Sequence, residues 1–119
     1  MANLTDTQKV IANAMSEEEL LNNIIALAKA FGWLIAHFRP GQTKDGQWRT
    51  PVQGDRGFPD LVLARSIPEV GYKQLFIIEL KSEKGRLSPE QKAWKDALLV
   101  YLVWRPSDWL DGTVERSLK

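Results

Sequence analysis

This sequence predicts an α/β fold, a mixed central sheet flanked by helices, on three observations. Ser16 to Phe31 carries a helix start, apolar residues at helical spacing and a glycine stop. Two apolar runs, at 58–65 and 74–81, read as the strands of one hairpin. Ser88-Pro89 then opens a second helix, and the apolar run Val100 to Trp104 follows it as a further strand. With 119 residues the chain makes a single domain large enough to bury a core without disulfides or metals.

In chain order, residues 1–15 are polar and mixed and read as an N-terminal arm or short helix; residues 16–119 form the domain itself. Ser16 is a good N-cap, and Glu19 three residues on completes a capping box. Glu17 and Glu18 suit the positive end of the helix dipole. Leu20, Leu21, Ile24, Ile25, Leu27, Ala28 and Phe31 form the apolar stripe, and Gly32 ends the helix. Glu17 stands three and four residues before Leu20 and Leu21, so it shares the inward edge of that stripe. Trp33 to Phe38 reads as the first strand.

Residues 39–56 form a polar loop of 18 residues, long for a compact domain. It holds Arg39, Lys44, Arg49 and Arg56 with Trp48 among them. Cations interleaved with an aromatic suit a phosphate backbone and a stacked base, although a hairpin folding Trp48 back on the core has the same composition. The second strand runs to Arg65. Ser66 to Lys73, with Pro68 and Gly71, reads as a turn. The third strand, 74–81, contains Leu75-Phe76-Ile77-Ile78 and looks buried on both faces. Pro106 to Trp109 reads as a turn or short helix leading to a surface tail.

Composition narrows the chemistry. The chain is 44% hydrophobic and 26% charged, as a soluble globular domain is. It has no Cys, which removes disulfides, thiolate metal sites and Cys nucleophiles. Its one histidine, His37, rules out a histidine-rich site, so any metal rests on carboxylates, which favour Mg or Mn. The net charge of +1 neither requires nor excludes nucleic acid. There is no signal pattern at the N-terminus and no apolar run of about 20 residues, so an intracellular, cytoplasmic protein with no membrane partner is expected.

Burying a charge is expensive unless it is paired or bound to a metal. Asp60 opens one apolar run and Glu79 closes the other, with Lys81 two residues beyond Glu79 and so on the same strand face. If the strands pair, Asp60 and Glu79 meet and can hold a divalent ion, with the backbone carbonyl of Leu80 as a further ligand. Lys81 can then orient a water or stabilise developing charge, as phosphodiester hydrolysis needs. Glu-x-Lys alone more often means a surface ion pair. Gly57-Phe58-Pro59-Asp60, Glu79-Leu80-Lys81 and Ser88-Pro89-Glu90-Gln91 together are more specific.

These motifs resemble the VRR-NUC (virus-type replication–repair nuclease) domain of the PD-(D/E)xK nuclease superfamily. The matching pieces are Gly57 to Leu61, Phe76 to Lys81, Gly85 to Gln91 and the Ser16 to Leu20 helix start, so the resemblance covers roughly 16–105. It implies a restriction-endonuclease-like core, Mg or Mn dependence and action on DNA. It also implies that Asp60 and Glu79 hold metal and that Lys81 is catalytic. Glu17 matches a helper acid of the first helix, with Glu18 and Glu19 as alternatives, and Gln91 matches a glutamine near the metal. Stand-alone members resemble Holliday-junction resolvases, which implies branched DNA, a homodimer and a bacterial or phage-infected cell. The competing readings are a non-catalytic nucleic-acid-binding module and a sequence-specific restriction enzyme.

Overall fold

The computed structural model describes residues 3–38, 41–42, 46, 48–49 and 54–119, with backbone alone for 41–42 and 48–49. Helix α1 (Asp6–Ala14) is capped by Thr5 and packs against the helical turn Pro106–Leu110 through a side that buries Ala12. Helix α2 (Glu17–Ala30) starts as its sequence requires. The Ser16 hydroxyl accepts from the Glu19 amide at 3.0 Å and the Glu19 carboxylate accepts from the Ser16 amide at 3.4 Å.

Strand β1 (Leu34–His37) leads to a two-stranded ribbon, β2 (Gly41–Gln42) with β3 (Trp48–Arg49). Strands β4 (Leu61–Ile67) and β5 (Tyr72–Leu80) form the antiparallel hairpin. Helix α3 (Pro89–Ala97) then crosses to β6 (Leu102–Trp104), which lies parallel to β5. The main sheet has the order β1-β4-β5-β6, with β5 in its interior. Short helices α4 (Pro106–Leu110) and α5 (Thr113–Leu118) complete the chain.

The core lies on one face of this sheet. Leu20, Leu21, Ile24 and Ala28 of α2 pack over Leu61, Leu63, Ile78 and Leu80. Each fully buried Leu or Ile contributes about 1.5–3 kcal/mol. Trp33 stacks on Phe76 at 5.1 Å between ring centres.

Four expectations are corrected here. The second strand starts at Leu61 rather than residue 58, because 57–60 is occupied in packing against α3. The turn after it is shorter than 66–73: a single 3-10 turn, Pro68–Val70, with Gly71 at φ 64° lets both strands run up to it. The third strand is not buried on both faces. Ile78, Glu79 and Leu80 are buried, but Leu75 is 46% exposed, because at that end helices cover one face only among the described residues. The C-terminus is no surface tail. Val114 and Leu118 sit in the core, and the Leu118 carbonyl accepts from the Trp33 indole at 2.9 Å.

Candidate active site

The segment Gly57 to Asp60 is fixed by shape. Gly57 adopts φ 91°, and a Cβ there would come within 2.8 Å of the Glu90 backbone and 2.9 Å of the Gln91 amide nitrogen. Only glycine allows this approach to the start of α3. Phe58 is held edge-on between Phe38 (5.4 Å) and Trp94 (5.0 Å), and the Trp94 indole donates to the Arg56 carbonyl at 2.9 Å. Pro59 is buried. Asp60 therefore arrives at the head of β4 with little freedom.

The hairpin register then places it. Leu61 pairs with Ile78, so Asp60 lies level with the end of β5. Its Oδ2 accepts from the Leu80 amide at 2.8 Å, which ties it to the peptide between Glu79 and Leu80. Glu79 is 2% exposed, the one buried ionisable side chain among the described residues. Its Oε1 accepts from the Gln91 side-chain amide and lies 3.8 Å from Lys81 Nζ. Its Oε2 is buried with no partner among the described residues.

Gln91 serves two structures at once. Its Oε1 accepts from the Ser88 amide at 2.8 Å and its own amide donates to the Ser88 hydroxyl at 3.1 Å, forming the capping box of α3. That leaves its Nε2 to donate to Glu79. The cap thus decides which way the amide points.

Burial and the nearby Asp60 push the Glu79 carboxyl from 4.5 up to about 8; Lys81 pulls it down and Glu17 adds a smaller upward push. Two carboxyls this close cannot both ionise cheaply without a cation. The donor set suits a hard divalent ion: paired carboxylates, one with an unpartnered buried oxygen, and no soft ligand. No group of three or more His, Cys, Asp or Glu close enough to hold an ion occurs among the described residues. An ion here would rest on two carboxylates, backbone and water, as Mg accepts.

The structure thus brings together Asp60, Glu79, Leu80, Lys81 and Gln91. Glu17, half-buried at the first turn of α2, reaches this cluster through its charge rather than as a third adjacent carboxylate. Glu18 is exposed, and Glu19 is engaged in its cap. Arg56 is exposed. Trp48 and Arg49 lie in β3, their side chains outside the described structure, and Arg39 and Lys44 fall outside the described residues.

Two residues near the site were not picked out from sequence. Arg105 donates to the carbonyls of Ser82 (2.8 Å), Glu83 (3.3 Å) and Gly85 (2.7 Å), clasping the loop that follows Lys81. Tyr101 precedes β6 and carries a buried hydroxyl without a partner among the described residues. Neither has a local motif, since both depend on the crossover that sets β6 beside β5.

A model of the VRR-NUC domain matches residues 41–99. The match spans Asp60, Glu79, Lys81 and Gln91, and leaves Glu17 outside. No curated protein and no solved structure matches the chain. The mixed sheet flanked by helices, with Asp60 and the Glu79-Leu80-Lys81 strand end meeting beside Gln91, agrees with that match, and the chain belongs to the VRR-NUC family of the PD-(D/E)xK nuclease superfamily.

Proposed function

We propose that this nuclease-type domain is a Mg- or Mn-dependent endonuclease that hydrolyses phosphodiester bonds in DNA, with branched DNA such as four-way junctions as its substrate. The observation that carries the reading is Glu79: a carboxylate 2% exposed, one oxygen unpartnered, beside Asp60 and Lys81. A structural carboxylate in such a place should have all its oxygens satisfied.

In this mechanism Asp60, Glu79 and the Leu80 carbonyl hold the ion, and Glu17 acts through water. When bound, the ion polarises the phosphoryl oxygen and makes hydroxide available near neutral pH. Gln91 keeps the Glu79 carboxylate turned toward Asp60. Lys81, its side chain 13% exposed, points its ammonium at the same space and orients the attacking water or stabilises the charge that builds on the phosphate. The loop bearing Arg39, Lys44, Trp48, Arg49 and Arg56 contacts the DNA backbone and a base.

A four-way junction presents two equivalent cuts and the described residues of each chain hold one such cluster, so the working unit is a two-fold homodimer. Leu34, Ala64 and Leu75 stand in register across β1, β4 and β5 on the sheet face away from the α2 core, with Leu34 75% and Leu75 46% exposed. This row is the surface we assign to the second copy. The site of action is inside the cell; no helix among the described residues is long and apolar enough to cross a membrane.

A cleavage panel tests the reading. Wild type, Asp60→Ala, Glu79→Ala and Lys81→Ala are compared on single-stranded, duplex, flap and four-way DNA with Mg, Mn or no metal. Wild type should nick the four-way substrate only with metal. Both carboxylate variants should fold and lose activity by at least about a thousandfold, and Lys81→Ala should lose turnover by about a hundredfold while still binding. Undiminished cleavage by both carboxylate variants would sink the metal site, and tight binding without cleavage by wild type would leave a binding module.

A further inference from the structure

Strand β6 brings one more polar group to this site. Val103 pairs with Glu79 and Leu102 with Ile78, so Tyr101 falls beside Ile77, one step before the ladder begins. Tyr101 and Val103 are two apart, which sets Tyr101 on the sheet face that carries Glu79. Two residues of strand separate it from Glu79, roughly 7 Å along β5, a span that a tyrosine leaning along the strand covers. Its hydroxyl oxygen and Glu79 Oε2 are the two buried side-chain polar atoms without a hydrogen-bond partner among the described residues. Glu79 sits on β5 and Tyr101 at the residue that leads into the neighbouring strand β6, so continuing the alternation puts both on one sheet face. A buried polar atom left unpaired is costly, so these two atoms mark a space for a bound group, the carboxylate oxygen facing the cation and the hydroxyl free to donate.

Resting on the nuclease reading above, we propose that Tyr101 is a positioning residue of this site, its phenolic hydroxyl donating a hydrogen bond to an oxygen of the bound assembly. That oxygen belongs either to water held by the cation or to a phosphate of the DNA; both are acceptors. Burial and the charges of Glu79 and Asp60 push the phenol from 10.0 up to about 12, so it keeps its proton and acts as a donor. Gln91 does not duplicate it, because its Nε2 is already engaged by Glu79 Oε1.

The test pairs kinetics with a spectroscopic readout. Tyr101→Phe removes the hydroxyl and keeps the ring. On four-way DNA with Mg it should lower kcat about tenfold with KM little changed. In ring-labelled protein the Tyr101 resonance, identified by its loss in the Phe variant, should shift when the site is loaded. Tyr72, 55% exposed at the opposite end of β5, is the internal control. A shift on adding Ca alone assigns the acceptor to cation-bound water; a shift only with Ca plus DNA assigns it to phosphate. Unchanged kcat with an unmoved Tyr101 resonance would overturn the proposal, as would equal losses in kcat, DNA affinity and melting temperature, which mark a packing role. A wild-type protein that neither cleaves DNA nor binds the cation would instead remove the nuclease reading, and this proposal with it.

Discussion

Helices α2 and α3 begin with the same device and use it differently. At α2, Ser16 and Glu19 satisfy each other at an exposed helix end, and among the described residues no side chain outside the cap bonds to theirs. At α3, Ser88 and Gln91 form the same box, but Gln91 has a second polar atom, and the close approach of Gly57 holds the helix start where that atom meets Glu79. A carboxylate at the third position has acceptors only; an amide has a donor to spare. One residue type thus separates a cap that stabilises a helix from a cap that also orients an acid. A glutamine in this position is not sufficient: Gln8 closes the Thr5 box of α1 in the same way, at an exposed helix end.

Gln91→Glu breaks this contrast most severely. It keeps the capping box and replaces the donor by a second negative charge beside Glu79. Cleavage should fall by about a hundredfold while the melting temperature changes little, as steady-state kinetics and calorimetry will show. Activity within twofold of wild type would mean that the Gln91–Glu79 contact plays no part in cleavage. Gly57→Ala asks whether the placement of α3 matters. The added methyl displaces the helix start and strains a positive φ, so activity should drop about tenfold, with a stability loss of about 1–2 kcal/mol by urea unfolding. Ser16→Ala should cost about 1 kcal/mol of stability and leave turnover unchanged, because its cap touches only its own helix. Lost turnover in that variant would join α2 to the site more closely than Glu17's charge does.

The pH response sharpens the comparison further. Glu79 is the acid that its surroundings lift to about 8, so the folded chain holds its proton far more tightly than the unfolded chain does. This contribution to stability is complete below about 4.5 and is lost as pH rises through about 8. Metal-free protein should therefore melt at progressively lower temperature across that window. Mg should flatten the decline, because the ion favours the ionised carboxylate. An identical profile with and without Mg would mean that Glu79 does not meet the ion.

How far sequence carries depends on whether a feature is local. The Ser16 and Ser88 caps were legible because each closes within four residues. Asp60 and Glu79 could be matched because a hairpin joins them, so one register decides their meeting. The end of β4 was misjudged because Pro68 and Gly71 read as a long break, while a 3-10 turn needs only three residues between Ile67 and Gly71. Helix α5 was missed because six residues with no side-chain cap give too little period to read, although Val114 and Leu118 are fully buried. Tyr101 lay beyond reach for a different reason. Its place follows from a parallel pairing made across a whole helical crossover, and nothing in its own neighbourhood announces that partner.

The grip of Arg105 on the carbonyls of Ser82, Glu83 and Gly85 bears on how this chain can be re-engineered. Short polar loops with a glycine are the usual choice for new termini, inserted reporters or split halves. Here the stretch after Lys81 is a poor choice, since its backbone is wired to the far side of β6 and its first residue adjoins Lys81, which faces Glu79. The 3-10 turn between β4 and β5, at the opposite end of the hairpin from Asp60 and Glu79, is the better seam: Glu69 and Val70 are exposed there, and a cut leaves the clasp of Arg105 intact.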